Sequence, residues 1–130
     1  MPTYESDLFD PPAPLARVTL RAVPSRKTII NVPMLIDSGA DLTLIPEAAI
    51  ADFGQDVRLD KSVRLESFDG RVSEAKSVQI DLIFLGLTFR GKVPLINSLV
   101  GVLGRNVLNR FSILLDGPGL NWRRVSESSE

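Results

Sequence analysis

The chain has 130 residues, 44% hydrophobic and 24% charged, with a net charge of -1 from 15 Lys and Arg against 16 Asp and Glu. That composition suits one globular domain with a real core, and its charge balance gives no reason to expect nucleic acid or an anionic membrane as a partner. The absence of Cys and His excludes a disulfide framework, a thiolate nucleophile, a Cys- or His-ligated metal and any Ser-His-Asp arrangement.

Residues 1–14 hold Pro2, Pro11, Pro12 and Pro14 among scattered acids and read as an extended arm. They lack the basic start and apolar core of a signal peptide. Ala16, Val18, Leu20 and Ala22 alternate with Arg17, Thr19 and Arg21, the period of a half-buried strand. Pro24-Ser25-Arg26-Lys27 turns the chain. The apolar run Thr28 to Ile36 suits a strand buried on both faces, with Pro33 marking an edge or bulge.

After Asp37-Ser38-Gly39-Ala40 and Asp41, residues Leu42, Leu44 and Ile45 lead to Pro46 and a short helix over Glu47 to Asp52. Val63 to Glu66 alternates, and Asp69-Gly70 signals a hairpin. A long strand returns through Val78, Ile80, Leu82 and Phe84, and Gly86 turns into a strand over Leu87 to Ile96. Ile80 to Phe89, the most apolar internal stretch, is too short to span a bilayer. Val100 to Gly104 is apolar, Arg105 to Phe111 places Val107, Leu108 and Phe111 on one helix face, and Ser112 to Leu115 is a core strand. Asp116-Gly117-Pro118-Gly119 turns it back through Leu120 to Val125, with Trp122 capping a core edge and Arg123-Arg124 as a solvated basic pair.

The organisation expected is therefore an arm over 1–14, a single domain over 15–125 and a polar tail over 126–130. The fold class is all-β: a partly closed barrel or sandwich of antiparallel strands with one or two short helices. Val32-Pro33-Met34-Leu35-Ile36-Asp37 is echoed by Val93-Pro94-Leu95-Ile96-Asn97, with Asn in place of Asp. A soluble, cytoplasmic protein is expected, with no direct membrane insertion.

Chemistry is concentrated at Asp37. A carboxylate at the end of a buried strand needs compensation, and Ser38 supplies a hydroxyl while Gly39 permits close backbone approach. Without His or Cys, catalysis is left to carboxylates, Lys, Tyr4 or a hydroxyl. Each feature also has a plainer reading: an Asx-type turn at Asp37, a surface hairpin at Asp69-Gly70, a solvated helix start at Arg105. Asp37 with Asp41 is conceivable as a hard-metal site, but two carboxylates without a phosphate-binding loop argue against it, and neither metal nor cofactor is expected.

Asp37-Ser38-Gly39-Ala40, the Asp-Gly hairpin and Val102-Leu103-Gly104-Arg105-Asn106 occur in that order. In this order they resemble the retropepsin family, the single-domain retroviral-type aspartic proteases and their cellular and bacterial relatives. The likeness spans Ala16 to Leu115. It implies a retropepsin-like acid-protease barrel and an aspartic endopeptidase in which two carboxyls share one proton and activate water. One chain carries one such motif, so the likeness implies a homodimer with Asp37 facing its own copy on a two-fold axis.

The resemblance also assigns roles. Ser38 would bond across the axis, and Gly39, Ala40 and Asp41 would line the cleft, with Asp41 paired to Arg105. Phe68, Asp69 and Gly70 would form a flap over an extended peptide bound as an added strand. The alternative is an inactive module of the same fold that binds peptides or dimerises. Unlike glycine-rich retroviral flaps, Ser67-Phe68-Asp69-Gly70-Arg71 is charged and has one glycine.

Overall fold

A computed structural model describes residues 2–66 and 69–126. Its elements in chain order are β1 (Tyr4–Glu5), β2 (Ala13–Arg21), β3 (Thr28–Ile36), β4 (Ile45–Pro46) and α1 (Glu47–Ala51). A 3-10 turn at Gly54–Asp56 leads to β5 (Leu59–Glu66), β6 (Val72–Phe84) and β7 (Leu87–Ile96). The chain closes with β8 (Gly101–Leu103), α2 (Arg105–Leu108), β9 (Ile113–Asp116) and β10 (Asn121–Arg124). Among the described residues, β4-β7-β6-β2-β3-β8 form one sheet, joined by β1 on β2 and β5 on β6, while β9 and β10 pair separately. The chain is all-β with short helices.

β3 is not buried on both faces along its length, as its apolar run predicts. Val32 and Met34 are buried, whereas Thr28, Ile30 and Asn31 are exposed. The cause is its partners: β2 pairs with β3 from Thr28 to Leu35, but β8 joins only at Met34–Ile36. The first part of β3 is therefore an edge. It carries a bulge, because Val18 faces Val32 while Leu20 faces Ile29, and Asn31 takes a left-handed φ of 61°. Pro33 sits beside that bulge, where a lost ladder donor costs least.

The sequence echo has a topological counterpart. β3 leads through the Asp37 loop to β4 and α1; β7 leads through residues 97–100 to β8 and α2. The two halves then exchange short strands, β8 lying parallel to β3 and β4 parallel to β7. Val18, Leu20, Met34, Ile45, Ile80 and Leu103 fill the core this crossing creates, each at most 1% exposed. Removal of so much apolar surface from water is the main force holding the two halves together.

α2 is shorter than its apolar spacing predicts, ending at Leu108 with Asn109 as its cap. Phe111 leaves the helix to pack edge-on against Phe84, ring centres 5.2 Å apart. Trp122 is buried, and its indole N–H donates to the Leu15 carbonyl at 2.8 Å. The N-terminal arm is docked: Tyr4 N–H donates to Leu120 O at 2.9 Å and Trp122 N–H to Pro2 O at 3.1 Å. No helix among the described residues is long and apolar enough to cross a membrane.

Candidate active site

β3 carries the chain to Asp37, whose N–H donates to Leu103 O at 3.1 Å, so β8 anchors the loop at its first residue. The loop then turns tightly, with Ala40 N–H donating to Asp37 O at 3.2 Å. Gly39 N–H donates to Asp37 Oδ1 at 2.9 Å. A Cβ at position 39 would lie 3.1 Å from that oxygen, so any larger residue requires the carboxyl to shift by a few tenths of an ångström. Asp37 is half-buried, and Ser38, Gly39 and Asp41 are exposed. One carboxyl oxygen is thus fixed by main chain; Oδ2 and the Ser38 hydroxyl have no partner among the described residues.

The loop is held from beneath by the start of α2. Arg105 N–H donates to Ala40 O at 2.8 Å, and its guanidinium donates to Ser38 O at 2.8 Å. The ion pair expected between Arg105 and Asp41 is not formed. With its backbone tied to Ala40, the Arg105 side chain engages the Ser38 carbonyl, and Asp41 stays exposed. Asp41 engages α2 only through its carbonyl, which accepts from Asn106 N–H at 3.3 Å.

Two supports escaped the sequence reading. Thr43, 2% exposed, donates its hydroxyl to Asn106 Oδ1 at 2.8 Å and accepts from Gly104 N–H at 3.1 Å. Leu44 and Val102 exchange both backbone hydrogen bonds at 2.8 Å. β8 therefore lies between β3 and the strand leaving the loop. The crossing is so close that a Cβ on Gly104 would collide with the Leu42 backbone. A Thr followed at a distance by Gly-Arg-Asn was the available signal, but it does not reveal a hydrogen bond between residues so far apart in sequence.

The predicted hairpin joins β5 and β6, with Glu66 facing Val72. Gly70 takes a left-handed φ of 79°, as an Asp-Gly turn requires. Phe68 lies outside the described residues. Asp69 is engaged within the turn, accepting from Arg71 N–H at 3.1 Å and pairing with its guanidinium at 3.2 Å. Ala40 is half-buried at the base of the loop.

Away from the loop, Asp81 on β6 is fully buried between Arg90, at 2.8 Å, and Arg21, at 3.0 Å. Its hydrogen bonds to Arg90, and then to Arg21, hold its carboxyl below the usual carboxylate range against burial, which pushes it up. No cluster of three or more metal-ligating side chains occurs among the described residues.

No family model matches the sequence, and no curated protein matches it. The fold does have solved counterparts. The structure of EIAV protease in complex with the inhibitor HBY-793 superimposes with a TM-score of 0.57 at 18% identity, over 75% of this chain and 86% of that one. The chain has a retropepsin-like fold.

Proposed function

We propose that the chain is a homodimeric aspartic endopeptidase in which Asp37 of each copy shares one proton and activates a water for peptide hydrolysis. The observation carrying this reading is the Asp37 carboxyl itself. One oxygen is fixed by Gly39 N–H, the other is without a partner among the described residues, and the carboxyl stands on a loop clamped by Arg105. Two such carboxyls about 3 Å apart cannot both ionise, so one acts as base toward water and the other as acid toward the leaving amine. The apparent pKa values belong to the pair. The fold likeness to EIAV protease supports the same reading.

A second chain is needed because this one carries a single Asp-Ser-Gly motif, and its second half places Asn97 where the first places Asp37. Ser38, exposed with a free hydroxyl, is the residue we assign to bonding across the axis. Gly39, Ala40 and Asp41 line the cleft, the Asp41 carboxylate being open to substrate main-chain N–H groups. The β5–β6 hairpin with Phe68, Asp69 and Gly70 covers an extended peptide. No cofactor takes part. Asp37→Asn is expected to abolish peptide cleavage while the protein stays folded; undiminished cleavage by that variant would refute the assignment.

A further inference from the structure

The docked N-terminal arm closes a cavity in which the Asp37 loop has no part. It holds about 410 Å³, and its walls include Thr3 and Glu5 of the arm, Leu15 and Arg17 of β2, Phe84 at the end of β6, and Trp122 of β10. Strand alternation accounts for the β2 wall: Ala16 and Val18 point into the core, so Leu15 and Arg17 share the opposite face.

Apolar surface and charge are segregated within it. Leu15, Phe84 and Trp122 are buried, and the Phe84 and Trp122 rings lie 6.1 Å apart, tilted by 43°. The Trp122 N–H is already donated to Leu15 O, so this floor presents ring faces and no donor. Arg17 is exposed and Glu5 half-buried, and these more open walls form the mouth. Neither makes an ion pair with a described residue. Glu5 Oε1 accepts from Asp7 N–H at 2.8 Å, while its Oε2 and the Arg17 guanidinium have no partner among the described residues.

A cation and an anion at one mouth, over an aromatic floor, define their complement. We propose that this cavity binds a free α-amino acid with an apolar side chain, its carboxylate on Arg17, its ammonium on Glu5 and its side chain against Phe84 and Trp122. A guanidinium takes a carboxylate through two parallel N–H bonds, and a few convergent polar groups over an apolar lining are the usual make-up of a small-molecule site. A hydrophobic acid would set its carboxylate against Glu5, and a hydrophobic amine would set its ammonium against Arg17. A molecule with both charges satisfies both residues. An α-amino acid carries the two charges at one end and its side chain at the other, the same division as mouth and floor. Because the arm forms one wall, an occupied site also stabilises the arm in its docked position. None of this requires the Asp37 reading above.

Trp122 is the one tryptophan of the chain, so its fluorescence reports the cavity floor directly. L-Phenylalanine and L-leucine are expected to change the emission of the full chain saturably, and glycine, which lacks the side chain, to leave it unchanged. 3-Phenylpropionate and phenethylamine, with one charge each, are expected to bind roughly tenfold more weakly than phenylalanine. Arg17→Gln and Glu5→Gln are each expected to weaken phenylalanine roughly tenfold without moving the thermal unfolding of the free protein. Glu5→Gln should also close the gap between phenylalanine and 3-phenylpropionate, a change of preference that a misfolded variant could not show. No saturable change with either apolar amino acid overturns the site. Phenylalanine binding that both variants leave untouched overturns the proposal equally, since the charges at the mouth would then hold nothing.

Discussion

Thr43 and Asn106 are joined by a 2.8 Å hydrogen bond from hydroxyl to amide oxygen, and the same hydroxyl accepts the Gly104 N–H. This buried hydroxyl ties the strand leaving the Asp37 loop to the helix supporting it. Thr43→Val keeps the shape and removes both bonds, leaving the Gly104 N–H unsatisfied. It is expected to cost about 1–3 kcal/mol of stability, read by denaturant unfolding, while Thr43→Ser keeps most of it. An unfolding midpoint unmoved in the valine variant would remove Thr43 from the framework.

Arg105 acts on the loop through a main-chain carbonyl, not through a carboxylate. Arg105→Ala is expected to lower kcat/KM roughly tenfold or more, because a small displacement of Asp37 is costly to the chemistry. Asp41→Asn, which breaks no such clamp, should leave unfolding unchanged. A matching loss of stability in Asp41→Asn and Arg105→Ala would show that the two are paired after all.

Gly39 is fixed by the 3.1 Å between a would-be Cβ and Asp37 Oδ1. Gly39→Ala presses on that oxygen and displaces the carboxyl by a few tenths of an ångström. The expected result is a loss of about a hundredfold in kcat/KM with little change in thermal unfolding, since the loop is at the surface. Full activity in the alanine variant would mean the contact does not position the carboxyl.

Asp81 sets the acid limb of stability. Its folded carboxyl titrates below the unfolded value of 3.8, drawn down chiefly by Arg90. A depressed carboxylate contributes stability that is fully present above the unfolded pKa and disappears as pH falls through the folded one. Stability should therefore fall as pH drops below about 4. Asp81→Asn should flatten that limb and lower stability at neutral pH; an unchanged pH profile would mean that other carboxylates govern acid unfolding.

Much of this was legible in the sequence, and the exceptions share a cause. β3 and β7 begin and end where their apolar runs do, and Gly86 and Gly70 turn their hairpins as local chemistry demands. The echo between Val32–Asp37 and Val93–Asn97 foreshadowed the exchanged short strands. What local patterns could not carry were contacts between distant segments. The exposure of Thr28 and Ile30 comes from β8 covering only part of β3, whereas Pro33 already marked the edge and bulge beside it. The early end of α2 comes from Phe111 packing on Phe84. The choice of Ser38 over Asp41 by Arg105 follows from backbone bonds at Ala40, and the docking of the arm on β10 from Pro2 and Tyr4.

The central claim is that two copies of Asp37 make one site, and mixing chains tests it most directly. Asp37→Asn chains are titrated into a fixed amount of wild type at saturating substrate, under conditions where subunits exchange. A shared dyad predicts that cleavage falls toward zero as wild-type chains are drawn into mixed dimers holding one carboxyl. Cleavage that stays constant as the variant is added would contradict it, since each Asp37 would then be working alone.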